Sequence, residues 1–347
     1  MFVKNAWYCA GWDYMVSQGK NSIVARKLAD IRVVLYRKPN GEVVALEDRC
    51  PHRMAALSLG KKEGDSIRCM YHGMRFSPDG ICVEIPGQDR IPPKACVKSF
   101  PVIERNNWIW VWLGDPKKAD PKLIPYAVGP SDSNWNMKTS HMHVDANYRF
   151  EIANLADLSH LTWVHEKTLG GTDKYTRSKV EHTLTDQSLI THFIARDVPA
   201  PYFLQHLFPV DARFDLEFNV THSIPCTWIL NFKAFTAGTA SSGPSNGELV
   251  ANTMTCQAVV PNDDKSVEYY FSWGSHIDYD FPGLSDLLRE ILDEAFLEDA
   301  AMLESQQVNY EANPEFKMMD ICHDAGPNKI LWLLDKLIKD EAAEPVN

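Results

Sequence analysis

The sequence predicts an α+β protein of two domains: an N-terminal all-β domain, and a C-terminal domain that combines an antiparallel sheet with a long helix. Three observations support this prediction. The chain has 347 residues, which is long enough for about two domains. Its first third consists of short apolar runs separated by Asn-Gly and Asp-Gly pairs, a pattern typical of β-hairpins. The remainder mixes alternating, strand-like runs with helical patterns at residues 151–164 and 284–307.

The domain boundary is predicted near residue 115. Helix and strand breakers are concentrated between Gly114 and Pro125, directly after the strongly β pattern of residues 108–113. We therefore expect one domain at residues 1–115 and a second at residues 116–347. In the second domain, residues 236–247 are rich in Gly, Ser and Thr and are predicted to form a mobile loop.

The composition excludes several classes of protein. The net charge of −11 and the absence of a Lys/Arg block argue against a nucleic-acid partner. The charge of a substrate stays open, because one local Arg or Lys can reverse the potential in a pocket. No apolar run can span a bilayer and no signal peptide is readable, so we expect a cytoplasmic protein without a membrane partner. Most of the eight cysteines are scattered, which argues against a disulfide framework.

Two mixed pairs of Cys and His form the first pattern that carries chemistry. Cys50 and His52 form a C-x-H pair, and Cys69 and His72 form a C-x-x-H pair. A 2Fe–2S cluster with two Cys on one iron and two His on the other needs this mixed pairing. A structural zinc site also takes two Cys and two His, but it usually groups them as a Cys pair followed by a His pair. The pattern therefore favours the cluster.

A second pattern lies in the predicted helix at residues 151–164. Asn154, Asp157 and His160 recur every three residues among apolar ones and form one polar line. His165 lies about 140° from His160 around an ideal helix, so both imidazoles can bind one metal only if the helix breaks. We predict the break near residues 162–165. Two His and one carboxylate form the facial triad of non-haem Fe(II) oxygenases.

The carboxylate of this triad is expected from the long C-terminal helix. Asp299 lies in the middle of its apolar stripe, whereas the neighbouring glutamates, among them Glu298, lie away from the centre. The stripe consists of Leu288, Ile291, Leu292, Ala295, Phe296, Met302 and Leu303. A carboxylate that faces a core is costly unless it is paired or binds a metal. We therefore predict His160, His165 and Asp299 as ligands of a mononuclear iron; a helix cap or an ion pair is the alternative for Asp299.

With these motifs the chain resembles the Rieske non-haem iron oxygenases over nearly its whole length. The match consists of C-x-H, C-x-x-H and N-x-x-D-x-x-H-x(4)-H. Residues 4–8 and 83–88 carry a closer similarity to the oxygenase components of the group that contains vanillate, toluenesulfonate and dicamba oxygenases. The resemblance implies a Rieske 2Fe–2S cluster shielded by a loop at Pro86 and Gly87, a mononuclear Fe(II), a helix-grip catalytic domain and a homotrimer of α subunits.

The resemblance also implies a role for Asp157. Its carboxylate is expected to bond the outer ring nitrogen of His160 and to reach His72 of a neighbouring subunit, which would make it the electron path between chains. The alternative is an acid that only orients His160. Asp157 and Asn154 are the residues expected to act in catalysis besides the metal ligands.

Three functions agree with the sequence. The first is O2-dependent O-demethylation or methyl hydroxylation of a small aromatic acid, of the methoxybenzoate or methylbenzenesulfonate type. The second is ring hydroxylation by a phthalate-type dioxygenase, and the third is a Rieske electron carrier without catalysis. No Gly-rich dinucleotide fingerprint is present, so we expect electrons from NADH through a separate flavin and ferredoxin-type reductase.

Two polar residues in apolar strand-like runs are candidates for substrate contacts. These are Asn231 and Gln257. Such residues either line a pocket or form hydrogen bonds within the sheet, and the sequence leaves both alternatives open.

Overall fold

The computed structural model describes residues 1–19, 22–172, 174, 177–240 and 247–343. The chain forms two compact units, Met1–Ile124 with Val260–Asp263, and Pro125–Val259 with Asp264–Asn347. The predicted boundary after residue 115 falls inside the first unit. Residues 241–246 of the predicted mobile loop lie outside the described residues.

The first unit is built from β-strands and short 3-10 helices. It contains three sheets with the strand orders β1-β11-β10, β2-β3-β4-β9 and β5-β6-β7-β8. The strands are β1 (Trp7–Trp12), β2 (Ile23–Leu28), β3 (Ile31–Arg37), β4 (Val43–Glu47), β5 (Lys61–Glu63), β6 (Ser66–Arg68), β7 (Arg75–Phe76), β8 (Cys82–Glu84), β9 (Ser99–Phe100), β10 (Val102–Arg105) and β11 (Trp108–Trp112). All their pairings are antiparallel, as expected for strands joined by tight turns.

One of these turns shows why the sequence places glycine there. Gly80 has a φ of +80°, and a Cβ atom at this position would lie 2.1 Å from the carbonyl oxygen of Val97. The close approach allows the Val97 amide to donate a 2.8 Å hydrogen bond to the Gly80 carbonyl. Only glycine adopts this backbone conformation without strain and leaves room for the backbone at Val97.

The second unit contains one seven-stranded antiparallel sheet, with the order β12-β18-β17-β16-β15-β14-β13. Its strands are β12 (Trp135–Val144), β13 (Glu181–Leu184), β14 (Ser188–Pro199), β15 (Arg213–Ser223), β16 (Thr227–Thr236), β17 (Leu249–Pro261) and β18 (Val267–His276). Its helices are α1 (Tyr148–Ala156), α2 (Tyr202–Gln205), α3 (Leu284–Ala312) and α4 (Ala325–Ala343). The predicted fold class, an all-β domain followed by an antiparallel sheet with a long helix, is confirmed. Within the described residues, no helix is both long and apolar enough to cross a membrane.

The helix predicted at residues 151–164 breaks earlier than expected. Helix α1 ends at Ala156, and Asp157 is extended, with φ −113° and ψ 96°. A 3-10 helix, Leu158–Thr162, follows it. The Asp157 carboxylate accepts a 2.8 Å hydrogen bond from the Ser159 amide and so caps this second helix. The predicted break at residues 162–165 agrees with the end of this 3-10 helix at Thr162, between the two histidines. The earlier break at Asp157 was not predicted, because periodicity alone indicated a continuous helix where capping by Asp157 starts a new segment.

The long helix α3 extends beyond the predicted end at residue 307. Its buried side includes Leu288, Leu292, Phe296 and Asp299, whereas Met302 is 58% exposed and does not belong to the stripe. Helix α4 was not predicted.

Candidate metal centres

The Cys50 and Cys69 loops of the first unit are two turns of the same construction. The Cys50 amide donates to the Ala55 carbonyl at 2.8 Å, and the Cys50 carbonyl accepts from Met54 at 3.0 Å. The Cys69 amide donates to the Met74 carbonyl at 2.8 Å, and the Cys69 carbonyl accepts from Gly73 at 2.9 Å. In each turn the residue four positions after the cysteine has a positive φ. The two halves of the donor set are thus held by equivalent backbone geometry.

The thiols of this site are buried and its imidazoles are exposed. Cys50 and Cys69 belong to the apolar core of the unit. The exposed rings of His52 and His72 lie with their centroids 4.4 Å apart. Burial raises the pKa of Cys50 to about 11, so the thiolate that binds iron has to be stabilised by the metal itself. Two buried sulfurs beside two outward imidazoles fit the donor set of a 2Fe–2S cluster that is held by two Cys and two His.

The predicted proline loop lies against this site. A Cβ atom at Gly73 would approach the Pro86 Cγ atom to 2.7 Å. Pro86 also borders the same surface cleft as Pro51, His52 and His72.

In the second unit the structure brings His160, His165 and Asp299 together. Their potential ligand atoms all lie within 4.8 Å of one another. The His160 Nε2 atom is 3.7 Å from Asp299 Oδ1, and the His165 Nε2 atom is 3.2 Å from Asp299 Oδ2. Each imidazole therefore turns its Nε2 atom towards the carboxylate, so that the three side chains can bind one metal ion.

The other ring nitrogen of each histidine contacts an acceptor. His160 Nδ1 contacts the main-chain carbonyl oxygen of Asp157. His165 Nδ1 lies 2.9 Å from Glu298 Oε2, which also accepts a 2.7 Å hydrogen bond from the Thr168 hydroxyl. Acceptors at both Nδ1 atoms favour the tautomer whose Nε2 lone pair is free for a metal.

These contacts correct one expectation and add one residue. The partner of His160 is the carbonyl of Asp157, whereas its carboxylate was expected, because the carboxylate caps the following helix. Glu298 was placed outside the site by sequence reasoning, since it lies beside the apolar stripe, yet it holds His165. Its position immediately before Asp299 is the signal that could have indicated it.

The environment affects the two histidines differently. Burial lowers the pKa of His160. Burial also acts to lower the pKa of His165, but hydrogen bonds and charge from Asp299 and Glu298 outweigh it, and the pKa of His165 is raised.

Asn154 and Glu151 lie on α1 near Asp299. The Asn154 amide donates a 3.1 Å hydrogen bond to Asp299 Oδ1 and so fixes the orientation of that carboxylate. Glu151 is buried, and burial, followed by the negative charge of Asp299, raises its pKa well above the ordinary value. The neutral form of the Glu151 carboxyl group is therefore favoured beside Asp299.

An apolar pocket opens beside the three potential ligands. Its empty space, with the open mouth included, is about 670 Å³. Aromatic and aliphatic side chains form most of its wall, among them Leu230 and Phe232 of β16, Trp273 of β18 and Phe296 of α3. Gln257 lines this pocket.

Asn231 is not among the lining residues. Its amide donates to Asn252 Oδ1 at 2.8 Å and to the Thr253 carbonyl at 3.2 Å, within the sheet. Leu230 and Phe232, which flank it on β16, face the pocket, so Asn231 faces the opposite side of the strand.

The first unit contains a donor set of two thiols and two imidazoles, and the second contains a set of two His and one carboxylate. These two sets occur together in Rieske-type non-haem iron oxygenases. The fold and the two donor sets define this class. The chain belongs to this family: residues 144–340 match the model described as vanillate O-demethylase oxygenase C-terminal domain, and residues 6–101 match the Rieske [2Fe-2S] domain.

Individual relatives agree with this assignment. The chain is 36% identical to the toluene-4-sulfonate monooxygenase iron-sulfur subunit of Comamonas testosteroni, over 98% of both chains. It is 31% identical to a vanillate O-demethylase oxygenase subunit of Pseudomonas sp. (strain HR199 / DSM 7063), over 99% of this chain and 98% of the relative. The crystal structure of dicamba monooxygenase bound to dicamba superposes with a TM-score of 0.86, at 29% identity and 99% coverage of both chains.

Family membership makes the chain an oxidoreductase with two cofactors, a Rieske 2Fe–2S cluster and a mononuclear iron. An oxygenase component of this kind depends on a separate reductase or ferredoxin for its electrons. The alternative of an electron carrier without catalysis loses its support, because the match extends through the catalytic domain.

Proposed function

We propose that the chain is the terminal oxygenase component of a Rieske monooxygenase, which uses O2 to remove the methyl group of an aryl methyl ether or to hydroxylate an aryl methyl group. The observation that carries this proposal is the position of His160, His165 and Asp299 at the wall of an apolar pocket. Aromatic acids of the methoxybenzoate and methylbenzenesulfonate type are the first compounds to test, because relatives are named for vanillate and toluene-4-sulfonate.

The residues of the second unit would have three roles in this reaction: binding the iron, orienting its ligands and binding the substrate. His160, His165 and Asp299 would hold Fe(II), which when bound supplies the activation of O2. Asn154 orients Asp299, and Glu298 orients His165. The apolar walls bind the ring of the substrate by burying it, and they exclude water from the reacting methyl group.

The residues of the first unit deliver electrons. Cys50, His52, Cys69 and His72 would hold the 2Fe–2S cluster, and a separate reductase that uses NADH would reduce it. We place the chain in a homotrimer in which Asp157 links His160 to His72 of a neighbouring copy. The contact of the Asp157 carbonyl with His160 supports the first half of this link. The matches of the two family models lie on either side of residue 115, which supports residues 1–115 as the Rieske domain and residues 116–347 as the catalytic domain.

Product analysis tests the proposed reaction. The purified chain, with its reductase, NADH and O2, is incubated with para-methoxybenzoate or para-toluenesulfonate. Formaldehyde or a benzylic alcohol is the expected product, and the His160→Ala variant is expected to lose this activity while keeping the spectrum of the cluster. A cis-dihydrodiol would instead identify a ring-hydroxylating dioxygenase and would overturn the proposal.

A further inference from the structure

We infer that the pocket selects uncharged aromatic substrates, whose polar group accepts hydrogen bonds from Trp273 and Gln257. This inference rests on the proposed function and concerns only the charge of the substrate. It follows from three properties of the pocket: an unpaired donor, a second donor held in place, and a lining without a fixed positive charge.

The unpaired donor is the indole nitrogen of Trp273. The side chain lines the pocket and is 4% exposed, and its Nε1 atom has no hydrogen-bond partner among the described residues. A buried N–H group without an acceptor costs free energy, and native proteins rarely leave one unsatisfied. An acceptor atom on a molecule in the pocket would remove this cost.

The second donor is the side-chain amide of Gln257. Gln257 is 2% exposed, and the Tyr269 hydroxyl donates a hydrogen bond to its Oε1 atom. Burial raises the pKa of Tyr269 well above its ordinary value, so the hydroxyl keeps its proton and remains a donor. Because Oε1 is occupied in this way, the NH2 group of the Gln257 amide is the part available to a bound molecule.

The fixed charges around the pocket offer no partner for an anion. No Lys or Arg lines it among the residues that the structure describes. The undescribed residues of this unit, at positions 173, 175, 176, 241–246 and 344–347, include neither residue type in the sequence. Lys233, on the lining strand β16, lies one residue beyond Phe232 and pairs with Glu217 at 3.6 Å. The donor set that would hold Fe(II) includes the acidic residue Asp299, and a second acidic residue, Glu298, contacts His165.

An anion in this pocket would lose its hydration and gain two neutral donors in return. The transfer of a carboxylate or sulfonate out of water is far more costly than the transfer of a ketone or an amide, unless a cation compensates. A neutral carbonyl, sulfonyl or ether oxygen accepts the same two hydrogen bonds without that cost. The donors and the charge distribution therefore favour the uncharged member of any pair of similar compounds.

Matched pairs of compounds test this selectivity directly. Para-methoxyacetophenone and para-methoxybenzoate have nearly the same shape and differ in charge, and para-toluenesulfonamide and para-toluenesulfonate form a second pair. Binding to the iron-loaded holoprotein is measured by calorimetry without O2 or reductant, and product formation is measured separately. We expect the neutral member to bind about tenfold more tightly or better, which corresponds to about 1.4 kcal/mol.

Two variants test the assignment of the donors. Trp273→Phe keeps an aromatic wall but removes the N–H group, and it should weaken binding of the ketone about two- to twelvefold, the effect of one neutral hydrogen bond. Trp332→Phe, at an exposed position on α4, is the matched control and should leave binding unchanged. Leu230→Lys places a cation in the lining and should reverse the preference within each pair.

The outcomes separate this inference from the proposed function. Tighter binding and turnover of the acids by the wild-type protein would overturn the inference and leave the proposed reaction standing. Preferred binding of the neutral compounds, without formaldehyde or a benzylic alcohol, would support the inference and contradict the proposed reaction. Unchanged affinity for the ketone in Trp273→Phe would contradict the role of the indole donor.

Discussion

Glu298 should determine how tightly the catalytic domain binds its iron, although it is not among the three potential ligands. Its Oε2 atom lies 2.9 Å from His165 Nδ1 and also accepts a 2.7 Å hydrogen bond from Thr168. The Glu298→Ala substitution removes the acceptor that fixes the ring orientation and tautomer of His165. Loss of such a partner typically weakens metal binding about 10–100-fold, which corresponds to about 1.4–2.8 kcal/mol.

The assay is an Fe(II) titration of metal-depleted protein, with the spectrum of the cluster as a check on the first unit. Thr168→Val removes one of the two contacts that position the Glu298 carboxylate, so a smaller loss of affinity is expected. Glu294→Ala, at an exposed position of the same helix, is the matched control. Wild-type affinity in Glu298→Ala would refute the reasoning, and an equal loss in Glu294→Ala would assign the effect to the helix and not to His165.

Four further predictions follow from the same contacts. His72→Ala should lose the Rieske absorption spectrum yet keep the mononuclear iron, and iron analysis with spectroscopy checks both; an intact spectrum would contradict the ligand assignment. Asp157→Asn keeps the main-chain carbonyl at His160, so iron and cluster should be retained while cluster oxidation in a single turnover slows; a wild-type rate would rule out the electron link. Asn231→Ala should lower the unfolding temperature and leave the Michaelis constant unchanged, since its side chain bonds within the sheet; a raised Michaelis constant would place it in the pocket. Burial lowers the pKa of His222 to about 3. Below about pH 6.5 this histidine is therefore protonated in the unfolded chain but stays neutral in the folded chain, so the free energy of unfolding decreases as the pH falls from about 6.5 towards 3. Denaturant unfolding of His222→Gln should show a shallower decline over this range, and an identical decline would count against the shift.

The donor sets could be predicted because their residue types are unusual for the segments in which they lie. A carboxylate in the middle of an apolar helical stripe indicated Asp299, and paired Cys and His in turn-rich segments indicated the cluster. The earlier helix break, at Asp157, could not be predicted in the same way. Periodicity reports which residues face the core, whereas the break at Asp157 depends on a side chain that competes for a backbone amide.

The substrate contacts show a second limit of the sequence. Asn231 and Gln257 both interrupt apolar runs, but a strand has two faces, and the sequence does not reveal which one borders the cavity. The packing against α3 decides this, and it places Leu230 and Gln257 towards the pocket and Asn231 away from it. Glu298 was missed for a related reason, because its role depends on where the loop after α1 places His165.

The twin turns that hold the cysteines have unequal freedom to change in sequence. Met54 has a φ of +63° and is 66% exposed, so its turn already accepts a side chain that projects into solvent. Gly73, at the equivalent position with a φ of +77°, would drive any Cβ atom into Pro86. Substitutions at Met54 therefore change the surface beside His52 at little structural cost, whereas any residue other than glycine at position 73 displaces the covering loop. The surface beside His52 can thus vary at position 54, whereas the turn beside His72 has to keep its glycine at position 73.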